Sequence, residues 1–141
     1  MEDTALHGGT TDRKIPKPNN VVTVPTTTDS FFRWWCVFLR PFVKLTDREI
    51  DVVANMLKQR WELSKVISDP VILDKMMLSE DIKQKILKEC HLTSQHLYVV
   101  MGNLRKNKVI VNNLINPRLI PNIRETDNGC FQLLILFKGM E

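Results

Sequence analysis

The residues able to do covalent or acid–base chemistry are few in this 141-residue chain, and they are scattered. His7, His91 and His96 stand apart and read as turn and surface residues. Cys36, Cys90 and Cys130 form neither a CxxC pair nor a Cys/His cluster, which supports neither a zinc site nor a disulfide framework and fits a reduced, intracellular compartment. No Ser/His/Asp set, phosphate-cradling loop or pocketed carboxylate pair is discernible, so the expectation is a non-enzymatic protein with no cofactor and no metal. A second kind of chemistry is better represented, between Ser94 and Arg124. Gln95 and Asn103 carry the amide groups that read adenine edges, and the Ser94 hydroxyl can hold a phosphate. Arg105, Lys106, Lys108, Arg118 and Arg124 can neutralise phosphates.

Charge agrees in direction. Residues 79–141 hold nine basic and six acidic groups, a surplus of three within a net charge of +4, whereas residues 1–30 hold three and four. A surplus of three suits a polyanion but does not demand one.

The elements that must position these residues can be read from caps and periodicity. Thr46 and Glu49 have capping-box spacing, with Leu45 and Ile50 as the hydrophobic staple. Ile50, Val53, Ala54, Leu57 and Trp61 then line one face of a helix running to about Leu63. Ser68-Asp69-Pro70 starts a short helix over Val71–Leu78. Ser79 caps the next, whose inner face is Ile82, Ile86 and Leu87. After the Cys90-His91-Leu92 turn, Thr93 caps a helix from Ser94 that places Leu97, Val100, Met101 and Leu104 on one face. A β-prone run, Val109–Val111, follows. A loop from Asn112 to Gly129 with a tight turn at Asp127-Asn128-Gly129 leads to a strand over Phe131–Phe137. Leu114, Ile115, Leu119, Ile120 and Ile123 should pack that loop onto the core.

The order helix, turn, helix, strand, loop, strand is that of a winged helix-turn-helix. The segment from Ile86-Leu87-Lys88-Glu89-Cys90-His91-Leu92-Thr93-Ser94 to Leu104-Arg105-Lys106-Asn107-Lys108-Val109-Ile110 resembles bacterial winged-helix families. The resemblance spans roughly residues 46–138 and implies a mainly α domain with a small β-hairpin, the helix after Pro70 being an insertion. It also implies that the helix from Ser94 enters a major groove, with Ser94, Gln95, Tyr98, Val99, Gly102 and Asn103 outward. On that reading Ser94, Gln95, Tyr98, Asn103, Arg105, Lys106 and Lys108 are the nucleic-acid-binding set, and the partner is double-stranded DNA. Val99 and Gly102 stand where long polar side chains are usual in such helices, and that pulls towards a protein-contact surface instead. Leu45-Thr46-Asp47-Arg48-Glu49, Glu62-Leu63-Ser64-Lys65 and Ile115-Asn116-Pro117 through Ile120-Pro121 are similar to small proteins of crAss-like tailed phages of gut Bacteroides.

Upstream, residues 1–30 read as an extended arm, broken by Gly8-Gly9, Pro16, Pro18 and Pro25. Such a segment cannot offset its own ordering entropy, roughly 1–2 kcal/mol per residue, and is fixed only by docking. Phe31–Arg40 forms an aromatic helix within residues 31–44, with Asp29 or Ser30 as N-cap. It is apolar nearly all round, so buried on most sides, in its own core or against another subunit. It is too short to span a bilayer, and no membrane partner is expected. The expected division is therefore arm 1–30, aromatic helix 31–44 and winged-helix domain 45–141. The expected protein interface is Val21, Val22, Val24, Phe31, Phe32, Trp34, Trp35 and Phe38. Two functions remain open. One is a structural adaptor in a large, oligomeric assembly such as a phage virion, in the bacterial host cytoplasm or the particle. The other is a winged-helix DNA-binding transcriptional regulator.

Overall fold

The computed structural model describes residues 24–125, 131–132 and 139. Five helices dominate it: α1 (Thr28–Leu39), α2 (Asp47–Ser64), α3 (Pro70–Met76), α4 (Glu80–Glu89) and α5 (Ser94–Lys106). Two small antiparallel hairpins follow, one of β1 (Ile110–Val111) with β2 (Leu114–Ile115), the other of β3 (Arg124–Glu125) with β4 (Phe131–Gln132). A 3-10 turn, Pro117–Leu119, lies between them.

Each helix begins at a side-chain cap that satisfies an orphan amide. The α1 cap is Thr27, whose hydroxyl accepts from the Ser30 amide at 3.2 Å, so the helix starts earlier than a cap at Asp29 or Ser30 would allow. The capping box of α2 is complete: Thr46 accepts from the Glu49 amide while the Glu49 carboxylate accepts from the Thr46 amide. Leu45 and Ile50 are both buried beside it. Asp69, Ser79 and Thr93 cap α3, α4 and α5.

One core holds these pieces together. Leu97, Val100, Met101 and Leu104 of α5, Ile82 and Ile86 of α4, and Ile50, Val53 and Leu57 of α2 are buried in a single cluster. Phe32, Cys36 and Leu39 of α1 belong to the same cluster. Three ion pairs, Asp29 with Lys58, Arg33 with Asp51 and Arg40 with Asp47, run in opposite sequence order along α1 and α2, as an antiparallel pair requires.

The loop expected over Asn112–Gly129 is instead structured in its described part, residues 112–125. Asn112 and Asn113 both adopt positive φ, 54° and 62°, and close a two-residue turn that pairs Ile110 with Ile115 and Val111 with Leu114. Asparagine tolerates this left-handed backbone better than other side-chain-bearing residues, and two such residues match the twist of the flanking strands. The strand after Val109 is thus partnered by Leu114–Ile115, and Phe131–Gln132 pairs with Arg124–Glu125. Ile115 and Leu119 are buried and Ile120 and Ile123 partly so, whereas Leu114 faces outward. The arm up to Thr23, the turn at Asp127-Asn128-Gly129 and the strand beyond Gln132 lie outside the described residues.

Candidate functional site: two exposed helix faces

The first face belongs to α1. Its inward stripe, Phe32, Cys36 and Leu39, packs on α2, and Phe32 meets the Trp61 ring at 6.0 Å between centroids. Trp35 is half-buried, and its indole Nε1 donates to the Leu119 carbonyl at 2.7 Å, so it fastens α1 to the 3-10 turn. Phe31 is half-buried, edge-on to Phe32. Trp34 and Phe38 point outward, 51% and 57% exposed, with Val37 beside them. Beyond the helix end, the amides of Phe42 and Val43 both return to the Leu39 carbonyl and carry one more helical turn. That turn presents Phe42, 81% exposed, just past the end of α1.

Of the residues expected at a protein interface, then, Trp34 and Phe38 share one outer face. Phe32 faces the core because α2 selects that side of the helix, and Val24 lies exposed in the extended segment before α1. Val21 and Val22 lie outside the described residues. Phe42 escapes a reading of the sequence because Pro41 signals the end of the helix. A spacing of four from Trp34 to Phe38 to Phe42 is the signal that could have found it.

The second face belongs to α5. Ser94, Gln95, Tyr98, Asn103, Arg105, Lys106 and Lys108 are all exposed, with Tyr98 at 77% and Val99 at 56%. A side chain at Gly102 would meet nothing within 4 Å, so nothing in the described fold requires glycine there. The cations sit at the C-terminal end of α5, where the helix dipole favours them. Asn107 ties that end to the α1–α2 connection by donating to the Lys44 carbonyl at 3.4 Å.

The reactive groups are muted where they are described. Burial pushes the Cys36 thiol up to about 12, against a smaller opposing pull from Arg33. Burial likewise raises Cys90 to about 11, with Asp51 and Glu89 adding to it. Among the described residues no cluster of three His, Cys, Asp or Glu side chains could hold a metal, and no helix is long and apolar enough to cross a membrane. A shallow cleft of about 240 Å³ lies between Phe32, Leu57, Arg60 and Trp61 on one side and Ile120, Pro121 and Ile123 on the other. It brings together apolar side chains and a guanidinium already engaged by Asp74 at 2.9 Å.

No family model, curated protein or solved structure matches this chain.

Proposed function

We propose that the protein is a non-enzymatic adaptor in a multi-subunit assembly, and that it docks through the outer face of α1. The observation that carries this reading is the run Trp34, Phe38 and Phe42, three large rings uncovered on a small mainly helical fold. Aromatic rings supply much of the energy at interfaces, and contiguous exposed apolar patches mark interaction sites. The order of helices and hairpin after Thr46 supports a winged-helix module as the rigid body presenting that face, with the N-terminal arm as a second attachment. The similarity of its short motifs to crAss-like phage proteins makes a virion the assembly we favour. Produced together with the other proteins of its genome, the chain should co-sediment with a high-mass particle. Trp34→Ser combined with Phe38→Ser should leave it folded in the low-mass fraction. A wild-type chain found only in that fraction overturns the adaptor reading.

A second reading, DNA binding as a regulator, is favoured by one observation: all seven polar and basic residues expected to touch nucleic acid are exposed on or just after α5. Against it, Tyr98, Val99 and Gly102 occupy the middle of that face, and the basic groups come only at its far end.

A further inference from the structure

We infer that the exposed face of α5 binds a single-stranded nucleic acid, one base stacking on the Tyr98 ring while neighbouring phosphates meet the cations at the end of the helix. The inference goes beyond the adaptor reading, which rests on α1. It uses the surface of the DNA-binding reading and gives that surface a different partner.

Charge in this chain is segregated. From Cys90 to Arg124 there are five lysines and arginines and no aspartate or glutamate. The remainder, with fifteen basic and sixteen acidic residues, is at −1, so this one segment carries more than the whole net charge of +4. Ion pairing follows the same division. Among the described residues, Arg33, Arg40, Lys58 and Arg60 are each paired with a carboxylate, whereas Arg105, Lys106, Lys108 and Arg118 form no ion pair. Two asparagines draw further cations to the same end of α5. Asn107 donates to the Lys44 carbonyl at 3.4 Å. Asn116 donates to the Lys108 carbonyl at 3.0 Å and accepts from the Arg118 amide at 3.1 Å. Lys44, Arg105, Lys106, Lys108 and Arg118 are all exposed. A surface with cations and no carboxylate of its own segment to offset them favours a polyanion.

The helix face selects among polyanions. Tyr98, Gly102 and Arg105 follow at steps of four and three, so they share one side of α5, with Lys106 next to them. The Tyr98 ring is 77% exposed. Gly102 puts no side chain between that ring and the cations, and even a Cβ there would meet nothing within 4 Å. Glycine is unfavourable inside a helix, and what it permits is close approach of another molecule to the backbone. A base on the ring can lie over that gap, and the phosphates that follow run towards Arg105, about 10 Å further along the axis. In a duplex the bases stack on one another and offer no face to a tyrosine, whereas the bases of a single strand do. Val99 and Gly102 cannot read base edges in a groove, but they give a stacking platform an apolar wall and an open floor.

The test titrates the full purified chain, at low salt and followed by fluorescence anisotropy, against labelled oligodeoxythymidine, labelled oligouridine and a labelled mixed-sequence duplex, with polyglutamate as competitor. Single strands should bind more tightly than the duplex, and the two sugars tell DNA from RNA. Tyr98→Ala should weaken single-strand binding by roughly 5- to 150-fold, the loss of one stacked base, while Tyr98→Phe keeps it. Arg105→Ala should lower the salt slope by about 0.7, the value for one phosphate contact on a single strand. Each variant should keep its helical circular dichroism, since both side chains are exposed. A duplex bound more tightly than the single strands overturns the inference and leaves the DNA-binding reading standing. Binding to neither overturns both. Tyr98→Ala without effect, or polyglutamate competing as well as unlabelled oligothymidine, shows charge acting alone and overturns the stacking. All of these outcomes leave the docking of α1 to its own co-sedimentation test.

Discussion

The amide of Val109 reaches back 2.9 Å to the carbonyl of Leu104, and that bond ends α5. With the Lys108 amide bonded to Arg105 it forms a Schellman closure, whose pivot residue, Lys108, sits at φ 66°. A similar turn ends α4, where the Leu92 amide bonds back to the Leu87 carbonyl and His91 takes φ 55°. Glycine adopts this backbone without penalty, and for most other residues it costs about 1 kcal/mol. Lys108→Gly should therefore stabilise the fold by roughly 0.5–1 kcal/mol in urea unfolding. A loss of stability would show that the lysine side chain contributes more than its backbone strain takes away.

Gly102 makes a converse case. Its place in the interior of α5 is less favourable than alanine's by about 0.5–1 kcal/mol, and an added methyl would stand in open space. Gly102→Ala should raise the melting temperature of the isolated chain. If the α5 face also meets a partner at close range, the same change should weaken co-sedimentation with the particle while the fold gains. No change in either measurement would strip the glycine of both meanings.

Leu104 is fully buried in the core cluster to which α2, α4 and β1 also contribute. Leu104→Ala should destabilise by about 2–5 kcal/mol, the range for large-to-small core substitutions. A loss below about half a kcal/mol would mean that the site collapses around the smaller side chain.

The thiols set an alkaline limit. Cys36 and Cys90 lie at about 12 and 11 in the folded chain against 9.0 for an unperturbed thiol. Folding thus holds protons that the unfolded chain releases. This contribution is fully present below pH 9 and is lost as pH rises towards 11 and then 12. Stability measured from pH 8 to 11 should fall, and Cys36→Ala should flatten the fall even if it lowers stability at pH 8. Cys36 should also resist thiol reagents until the chain is unfolded.

The DNA-binding reading has its own test. Arg105→Ala and Lys106→Ala should each weaken binding and lower the salt slope by about one for every phosphate left without its cation, whereas Gln95→Ala should relax sequence preference. A purified chain that shifts no duplex at low salt removes that reading.

Where local chemistry decides, the sequence is legible. The capping box at Thr46 and Glu49, the caps at Ser79 and Thr93, and the 0, 3, 4, 7 spacing from Leu97 to Leu104 each specify a helix and its inner side. Where a neighbour decides, it is not. The α1 segment is apolar nearly all round, so its own pattern cannot choose which rings turn inward; packing on α2 chooses Phe32 and leaves Trp34 and Phe38 outside. The hairpin at Asn112-Asn113 has a local signal, two residues tolerant of positive φ between β-prone runs. Asp127-Asn128-Gly129, a stronger turn sequence further on, competes with it and masks it. Strands of two residues also carry too little alternation to be seen.

The bond from the Trp35 indole to the Leu119 carbonyl joins residues 84 positions apart, and that separation becomes a delay during synthesis. At about 5–20 residues per second, roughly 4–17 s pass between the addition of Trp35 and the addition of Leu119. Throughout that interval the nascent α1 has neither the Leu119 carbonyl to receive its indole nor the 3-10 turn beside it, so its uncovered rings outnumber those of the finished chain. The newborn polypeptide is then most open to aggregation and to capture by chaperones. Slowing translation between α2 and Pro117 would lengthen the exposure without altering a single residue of the product.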